Sequence, residues 1–516
     1  MMLDARTVAG TQIVRLPAVV RGEVVMPPWP TVADIGRAVA ERGPHRVRGS
    51  AGDGCHLIGR PVVDRDTLRL TGETQVLVLP APEAPSLLEP DPAGALLELA
   101  RTPVAEVLAF VDAIGEALRS GSREAREAGA LLAATSLVTD RAHHAFLAQL
   151  PSLFDGAAVG RMIESELGTA SLDAWREAGE VPVPGMTARL AGLHCETPPA
   201  LRALPTRQLH LTSGNAPVVP VVSLLWAWAT KGACVVKPAA EAAALVVALG
   251  TALRDTDPSH PLARHTTLAY WRGGDREVET TLLADGAFDR RVVWGSTETI
   301  RSVTARGGGT DTVVMGPRFS LSMIGSALIR TDPEGAARRA AVDSLIANQA
   351  ACTSSLLHVV ECDAATADDY ARTLARVLAE WDAALPHRPS RQVQGHLVRL
   401  RRGLLGTGRW HVNGDWPEVS SAVVRVDGAF DLAHHPGSRL VLVHAVDDLR
   451  RALPLLGPAV STVGVAPEET RLALRDAVAA CGVDSVVPLG AAEQGYAGRP
   501  HDGMRVLNRL VRWVNG

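Results

Sequence analysis

The residue whose type and surroundings most favour chemistry is Cys352, in the run NQAACT at residues 348–353. A helical pattern rich in Ala and Arg, Glu334 to Ile346, comes before it, and a strand-like apolar run, Leu356 to Val360, comes after it. The thiol is therefore predicted where a helix gives way to a strand. An accessible thiolate is a strong nucleophile, whereas most isolated cysteines are small buried hydrophobic residues. The rest of the chain has to decide between these interpretations.

A first polar loop, Thr212 to Pro217, offers such a thiol a partner. It contains Ser213 and Asn215, follows a strand-like run and leads into a helix. A side-chain amide at this place can donate to a developing oxyanion, because a neutral donor needs little reorganisation. Asn215 is equally suited to cap the helix, and spacing alone does not separate the two roles.

Two further loops have the character of an anion or nucleotide site. Lys237 leaves the strand-like run Cys234 to Val236 where a ribose would lie, although a surface lysine with a partly buried stem is the plainer interpretation. Gly295 and Ser296 link a strand-like run to a helix, a geometry that binds a diphosphate through helix N-terminal amides. Ser296 would also make an ordinary helix cap. The GxGxxG fingerprint of the common dinucleotide fold is absent.

The elements that must position these loops alternate between strand and helix patterns from Gln208 onward. Strands separated by helices of about 10 to 15 residues predict an α/β fold, with a doubly wound parallel sheet that binds ligands at the carboxyl ends of its strands. The apolar helix Pro217 to Thr230 is predicted to be plain core, with the lining of an acyl channel as the alternative.

Two other segments carry weaker signals. The Arg-rich stretch His387 to Arg409 is predicted to be irregular and solvated, with a phosphate-binding patch as the alternative. The chain is predicted to end with a helix from Met504 to Val514.

The composition of the chain argues against several classes of protein. The chain has 516 residues, 47% hydrophobic and 21% charged, with a formal charge of −4, so nucleic acid is not an expected partner. It has no run of 18 apolar residues and no signal-peptide pattern at its start, so we expect no membrane span and a cytoplasmic location. Six scattered cysteines without a CxxC pair predict neither a disulfide framework nor a structural metal. The only lysines are Lys231 and Lys237.

Taken together and in this order, the three loops and the cysteine resemble the aldehyde dehydrogenase superfamily. Within it, the chain is most similar to the acyl-CoA reductase component of the bacterial luminescence fatty-acid reductase complex. That likeness covers residues 160 to 516 and includes Leu211 to Pro217, Asn348 to Thr353 and the ending Gly498 to Leu510.

We expect four sections. Short apolar runs broken by Gly and Pro predict a β-rich section at residues 1–92, and helical spacing predicts a lead-in to the NAD(P)-binding domain within 93–345. The resemblance implies that residues 346–490 form an α/β catalytic domain with the nucleophile and that 491–516 pack back on the cofactor domain.

The resemblance also implies the roles of residues. Cys352 is the nucleophile that takes an acyl group from acyl-CoA or an acyl-carrier protein, and Asn215 holds the oxyanion. Ser213, Lys237, Gly295 and Ser296 bind the cofactor.

The proton carrier is less clearly marked. His501 is the candidate that we favour, with His434 and His435 as alternatives, and a structural role is open for each.

Two departures from the oxidising dehydrogenases set the direction of the expected reaction. Their water-activating glutamate is missing, because the corresponding stretch is Val314 to Arg318 and has no carboxylate. Ala240 replaces a glutamate that accepts the ribose 2′-hydroxyl, which permits NADPH, although Glu241 follows and leaves NADH open.

We therefore expect an NADPH-dependent reductase that makes a fatty aldehyde from an acyl thioester. The alternatives are an oxidising NAD(P)-dependent aldehyde dehydrogenase and a non-catalytic acyl-holding subunit of a biosynthetic complex. By resemblance the protein is also expected to form a homo-oligomer.

Overall fold

The computed structural model describes residues 4–516 apart from a set of short segments. These are 42–43, 48–53, 120–121, 124–125, 127–128, 131–139, 178, 180–184, 194–198, 215–217, 307, 407, 428–429, 431 and 433.

Strands are distributed along the whole described chain. They are β1 (Asp4–Val8), β2 (Thr11–Arg15), β3 (Ala18–Val20), β4 (Glu23–Val25), β5 (Pro44–Val47), β6 (Gly54–Val63), β7 (Leu70–Ala81), β8 (Arg176–Glu177), β9 (Ala200–Leu204), β10 (Arg207–Leu211), β11 (Ala233–Lys237), β12 (Thr266–Leu268), β13 (Arg290–Trp294), β14 (Asp311–Met315), β15 (Phe319–Ile324), β16 (Ser355–Glu361), β17 (Gly408–Asp415), β18 (Glu418–Val426), β19 (Leu440–Val446), β20 (Val460–Ala466), β21 (Ser485–Pro488) and β22 (Arg512–Asn515).

Helices fill most of the connections. They are α1 (Val32–Glu41), α2 (Pro92–Arg101), α3 (Val104–Ala117), α4 (Asp140–Gln149), α5 (Gly156–Glu166), α6 (Thr169–Asp173), α7 (Met186–Leu190), α8 (Val218–Ala229), α9 (Ala243–Thr256), α10 (Pro261–Arg264), α11 (Arg276–Leu282), α12 (Thr297–Thr304), α13 (Ser326–Thr331), α14 (Pro333–Leu345), α15 (Ala364–Ala384), α16 (Arg391–Gly403), α17 (Glu468–Ala480) and α18 (Val506–Leu510). Short 3₁₀ turns lie at Ala84–Leu87, Leu150–Leu153, Ala240–Ala242, Ile346–Gln349 and Leu449–Leu455.

The first large sheet has the order β14-β13-β10-β11-β12-β3-β4. Its first five strands are parallel, and β3 and β4 from the start of the chain extend it in antiparallel pairing. The chain leaves β10 toward β11 and β12 on one side and later returns to β13 and β14 on the other. The boundary between β10 and β13 is thus a topological switch point, the place where such sheets bind ligands.

The second large sheet has the order β17-β18-β19-β16-β15-β20-β21. All its pairs are parallel except β17 with β18. The central strands are covered on both faces: β20 is buried along its whole length, and β16 all but its last residue. Continuous apolar runs are what a parallel sheet with helices on both sides requires.

Two smaller sheets complete the described fold. The N-terminal section forms a sheet of order β1-β2-β7-β6-β5, and β22 at the end of the chain pairs with β9, which pairs with β8. The α/β class, with parallel sheets and a β-rich N-terminal section, is therefore confirmed.

Two sequence-based predictions of local structure were wrong. The Arg-rich stretch is not irregular, because it contains α16 and the strand β17. Leu397 on α16 is buried, and its neighbours Val393, Leu400 and Leu404 pack against the core of the second sheet. The predicted C-terminal helix is only the short α18, since the residues after it pair with β9 instead.

The apolar helix after the first polar loop was predicted to be core, and this is confirmed. Nine of the 12 residues of α8 are buried. Trp228 is fully buried, with the rings of Phe110 and Phe154 each 6.3 Å from its own. One tryptophan of this helix, Trp226, reaches the site described next.

Candidate active site

Three polar loops meet at the carboxyl edge of the first sheet. They follow β10, β11 and β13, which are adjacent parallel strands. Leu211 at the end of β10 is in register with Lys237 on one side and with Val293 on the other. The amide of Thr212 then donates to the carbonyl of Lys237 at 3.0 Å, which ties the first two loops together.

The structure describes two of the three residues predicted in these first two loops. Ser213 is half-buried beside Thr212, whereas Asn215 lies outside the described residues, so its role stays a prediction. Lys237 is half-buried, with Nζ 5.6 Å from the centre of the Tyr270 ring. The cationic head is thus held at the sheet edge against an aromatic face.

The third loop forms the start of a helix, as predicted. Ser296 is the N-cap of α12, and its hydroxyl accepts from the amide of Thr299 at 3.2 Å. A Cβ on Gly295 would lie 3.1 Å from the Thr299 side chain, so the glycine allows a close turn. The plain capping role of Ser296 is therefore real, and it aims the first amides of α12 out of the same sheet edge.

Cys352 lies at the amino edge of the second sheet, just before β16. Its carbonyl accepts from the hydroxyl of Ser320 on β15 at 2.8 Å, and that hydroxyl accepts from the amide of Thr462 on β20 at 3.1 Å. Only three residues connect β14, in the first sheet, to β15, in the second. The amino edge that carries the thiol is therefore close to the carboxyl edge that carries the three loops.

The environment of the half-buried thiol works mainly against ionisation. Burial raises the pKa of Cys352 above its ordinary value, and the negative charge of Asp502 raises it further. The Ser461 hydroxyl and the backbone N–H groups of Cys352 and Thr353 donate to the sulfur and lower that pKa in part. The resting group is consequently a protonated thiol at neutral pH, with donors already placed to stabilise the thiolate once the proton leaves.

A strained turn sets the position of the thiol. Ala347, Asn348 and Gln349 all have φ between +46° and +67°, a conformation that non-glycine residues avoid. The Asn348 side-chain oxygen accepts from Arg439 Nε at 2.8 Å, and Arg439 pairs with Asp382 at 2.6 Å. The two side chains of this pair are only 5% and 11% exposed.

Gln349 is held by hydrogen bonds to two backbone carbonyls near the same turn. Its side-chain amide donates to the carbonyl of Leu440 at 2.6 Å and to that of Ser355 at 3.2 Å. The surrounding hydrogen bonds therefore stabilise a positive-φ backbone conformation that by itself costs of order 1–3 kcal/mol per residue.

The C-terminal motif joins the two sheets at the site. The ring of His501 lies 5.0 Å from that of Trp294, at the end of β13, and 5.4 Å from that of Trp226. Nε2 of His501 is buried and has no hydrogen-bond partner. Burial lowers the pKa of His501, although the charge of Asp502 opposes this, so the imidazole enters a reaction neutral.

A buried chain of hydrogen bonds fixes Trp294. Its indole N–H donates to Ser223 Oγ at 3.3 Å, and that oxygen lies 2.7 Å from Nδ1 of His210. Nε2 of His210 is 3.0 Å from the side-chain oxygen of Gln208, which can only accept, so Nδ1 accepts from Ser223. Burial lowers the pKa of His210 to about 3, and the chain stays neutral.

The other two histidine candidates differ from each other. His435 accepts from the amide of Gly437 at 3.0 Å through Nδ1, and burial lowers its pKa to about 3. It shapes the turn that contacts Gln349. His434 is exposed.

Sequence reasoning missed the roles of three polar groups, two that act on the thiol and one beside them. Asp502 and Ser461 act on the pKa of Cys352, and Arg318 lies 3.6 Å from Asp502 and also pairs with Asp484. A signal existed for Arg318, since it ends the stretch Val314 to Arg318 that corresponds to the segment where the oxidising enzymes carry their base. Nothing in the spacing pointed to Asp502 or Ser461, because they come from distant parts of the chain.

Comparison with known proteins now decides the family. A family model described as acyl-CoA reductase (LuxC) matches residues 99–513. The chain belongs to this family. Its membership confirms the resemblance that the cysteine and the three loops carried.

Curated relatives are long-chain acyl-protein thioester reductases. The chain is 27% identical to long-chain acyl-protein thioester reductase 2 of Photobacterium leiognathi over 321 residues, which covers 61% of this chain and 65% of that protein. It is 28% identical to the Vibrio harveyi enzyme over 364 residues, or 70% and 71% of the two chains. The match thus spans a little under two thirds of the first relative's length.

Solved structures share the fold at low sequence identity. Aldehyde dehydrogenase 21 from Physcomitrella patens has a TM-score of 0.66 at 13% identity, over 88% of this chain and 94% of that one. NADP-dependent glyceraldehyde-3-phosphate dehydrogenase from Bacillus halodurans has a TM-score of 0.66 at 12% identity, over 97% and 98%. The architecture is therefore that of the aldehyde dehydrogenases.

Neither a membrane-spanning helix nor a cluster of metal ligands is found in the described part of the chain. No helix there has the length and apolar character to cross a bilayer. No group of three or more His, Cys, Asp or Glu side chains there is arranged to hold a metal ion.

Proposed function

We propose that the protein reduces an acyl thioester to an aldehyde, with NADPH as the reductant. The observation that carries the proposal is the position of Cys352, on the sheet edge that is joined to the edge bearing Lys237 and the Gly295-Ser296 turn. A half-buried thiol next to a nucleotide-type sheet edge is suited to covalent catalysis followed by hydride transfer.

The first half-reaction is an acyl transfer to sulfur. Cys352 attacks the thioester carbonyl of acyl-CoA or an acyl-carrier protein, the carbon–sulfur bond of the thioester breaks, and an acyl-enzyme remains. The amide of Asn215 and a backbone N–H beside Cys352 hold the oxyanion in this account. Loss of one such donor typically costs 10²–10³ in rate.

The residues at the sheet edge fit a nicotinamide cofactor. The first amides of α12, with Gly295 and Ser296, would hold the diphosphate, and Lys237 with Ser213 would hold the adjoining ribose. When bound, the reduced cofactor supplies the hydride that converts the acyl-enzyme to a thiohemiacetal. Collapse of that adduct returns Cys352 and releases the aldehyde.

The preference for NADPH is argued from charge. Ala240 places no carboxylate directly after Lys237-Pro238-Ala239, so a 2′-phosphate meets no like charge at that residue. The side chain of Glu241 lies outside the described part of the structure. A direct comparison of the two cofactors tests this preference.

Water is not the acyl acceptor in this proposal. The segment that carries the base of oxidising relatives ends here in Arg318, and its guanidinium pairs with Asp484 rather than polarising water beside the thioester. The acyl-enzyme therefore persists until hydride arrives. An oxidising dehydrogenase would instead release a free acid.

His501 is the residue that we assign to proton transfer in the cycle. It is neutral, and its unpaired Nε2 lies at the junction of the two sheets, where it can take the proton of the attacking Cys352 thiol and return a proton to the departing thiolate. By resemblance, we also propose a homo-oligomer, within a larger biosynthetic complex where one exists.

The proposal is tested with purified protein, acyl-CoA thioesters of several chain lengths, and NADPH or NADH. Loss of reduced-cofactor absorbance and formation of aldehyde are followed for the wild type and Cys352→Ala. We expect aldehyde from the wild type and none from the variant. No aldehyde from any CoA or carrier-bound thioester, or full activity of the variant, would refute the function.

A further inference from the structure

We propose that the exposed side of α16 is a docking surface for an acidic acyl-carrier protein. This surface, formed by Arg391, Arg399 and Arg402, is called the basic face below. The inference rests on the proposed function, and it selects the carrier-bound thioester over acyl-CoA as the acyl donor to Cys352.

The first observation is the arrangement of the three arginines around α16. At 100° per residue, they fall within about 80° of one another around the helix axis. Leu397 and Leu400, which pack on the core of the second sheet, lie on the opposite side. All three arginines are exposed, and Arg391 and Arg402 are about 16 Å apart along the axis at 1.5 Å per residue. The helix therefore buries its apolar side and turns a row of positive charges to solvent.

The second observation is that the basic face lacks carboxylate partners. The stretch Leu385 to Arg409 contains six arginines and no Asp or Glu, although the whole chain has a formal charge of −4. Arg388 and Arg409, near its ends, pair with carboxylates from other elements. No carboxylate of the described residues pairs with an arginine of the basic face. By contrast, Arg338 on α14 and Arg376 on α15 each pair with the same two glutamates.

The third observation places the start of α16 at the edge that carries the nucleophile. β18 begins at Glu418 and runs parallel to β19, which runs parallel to β16, so Glu418 lies at the same amino edge as Cys352. Arg388 pairs with Glu418 only two residues before Ser390, the N-cap of α16. One end of the basic face is therefore fixed at the catalytic edge of the second sheet.

A second link joins the start of α16 to the turn before the nucleophile. Nε2 of His387 lies 2.6 Å from Oγ of Ser438. The amide of Ser438 in turn donates to the carbonyl of Asn348, in the strained turn, at 3.1 Å. A partner that lies along α16 would consequently have one end beside the segment that holds Cys352.

The chemistry of the surface fits an acidic protein better than a small anion. Positive charges spread over about 16 Å cannot all meet one phosphate group, whereas a row of carboxylates on a protein can match them. The guanidinium of Arg401, beside the basic face, stacks 4.5 Å from the ring centre of Trp416. Leu405, one turn after Arg402, is 74% exposed. Arginine and aromatic side chains are enriched at protein interfaces, and ionic contacts allow the fast association and release that a carrier needs.

The test compares the wild type with the full-length triple variant Arg391→Gln/Arg399→Gln/Arg402→Gln. Glutamine and arginine have similar helix propensities, so urea unfolding should be unchanged. The two substrates are an acidic bacterial acyl-carrier protein loaded with a hexadecanoyl group, and hexadecanoyl-CoA. We expect the KM for the loaded carrier to rise about tenfold with kcat unchanged, and the KM for the CoA thioester to stay within about twofold.

A matched control removes three charges elsewhere. Arg101→Gln/Arg161→Gln/Arg330→Gln changes exposed arginines on three other helices and should keep the wild-type KM for both substrates. Added salt supplies a further readout, because it screens exposed charges. Between about 50 and 300 mM NaCl, the KM of the wild type for the loaded carrier should rise, and that of the triple variant should change little.

Binding is measured separately from turnover, by fluorescence anisotropy of the dye-labelled, loaded carrier without cofactor. The triple variant should bind about tenfold more weakly than the wild type and the matched control. Equal affinity for the triple variant and the wild type would overturn the inference. An equal rise in the KM for hexadecanoyl-CoA would also overturn it, because the basic face would then bind the phosphates of CoA.

The remaining outcomes separate the inference from the proposed function. Aldehyde from hexadecanoyl-CoA, with no binding of the loaded carrier, would overturn the docking surface and leave the proposed function intact. Carrier binding that the triple variant weakens, with no aldehyde from either substrate, would refute the proposed function and support the docking surface.

Discussion

Replacing Arg439 with Met removes the anchor of the strained turn before the nucleophile. Arg439 and Asp382 form a pair that is about nine-tenths buried, and Nε of the arginine also holds Asn348 at 2.8 Å. Removing one partner of a buried pair costs about 3–5 kcal/mol, because it leaves an uncompensated charge. Asp382 keeps two donors, Ser420 and Ser421 at 2.9 and 2.6 Å, so we expect the lower end, about 3 kcal/mol.

The functional cost should be separable from the loss of stability. In the double variant Arg439→Met/Asp382→Leu no charge is left buried, and both serines retain a partner in Asn413. Its stability should therefore return to near the wild-type value. Asn348 stays unanchored, so the turn can relax and shift Cys352, and a shift of about 1 Å costs on the order of 10² in rate.

The assays are urea unfolding for stability and the burst of free CoA for acyl transfer, at a temperature where all variants are folded. We predict a double variant that is stable but slow in acyl transfer. This prediction is refuted if the single variant loses less than about 0.5 kcal/mol of stability, the range of a surface change. It is refuted equally if the double variant recovers the wild-type burst.

Four other predictions concern single residues. Because the pKa of Cys352 is raised, its alkylation rate should climb tenfold per pH unit through pH 9; a plateau near pH 7 would contradict this. Burial lowers the pKa of His358 to about 3. As pH falls below 6.5, His358 therefore binds a proton in the unfolded chain but not in the folded one, and the folded state loses stability. His358→Gln should thus cost about 1.4 kcal/mol less at pH 5.5 than at pH 7.5 in urea unfolding, and an equal cost would count against it. Lys237→Met should raise the KM for NADPH about 10- to 100-fold. Lys231→Met, which removes a buried lysine that pairs with the exposed Asp173, should lower the Tm and leave that KM unchanged; the reverse pattern would refute both roles.

The elements that could be predicted are those whose apolar residues recur with the period of a strand or a helix. Strand and helix patterns from Gln208 onward marked the loops, and the buried strand β16 marked the end of the nucleophile segment. Strand order does not follow from such patterns. That β13 and β10 are neighbours, and that β3 extends the same sheet, depends on long-range pairing.

The errors have physical causes of the same kind. Arginines on α16 hid an apolar stripe, Val393, Leu397, Leu400 and Leu404, whose spacing is helical. The last residues took a strand conformation because β9 offered an open edge, which no local pattern shows.

The residues of the candidate site also differ in whether the local sequence could reveal them. Cys352, Lys237 and the Gly295-Ser296 turn could be found because each follows or precedes a predicted element. Asp502 could not, because its effect on the thiol exists only after the C-terminal segment folds back between the two sheets. The positive φ of Asn348 was equally hidden, since Arg439, about 90 residues later, supports it.

The most direct test of the account is to trap the acyl group on the enzyme. The wild type is incubated with a labelled long-chain acyl-CoA without reductant, and the protein is digested and analysed by mass spectrometry. The account predicts one acyl group per chain on the peptide that contains Cys352, released by hydroxylamine and converted to aldehyde when NADPH is added. Label on Cys352→Ala, or an acyl-enzyme that yields free acid and no aldehyde with NADPH, would contradict it.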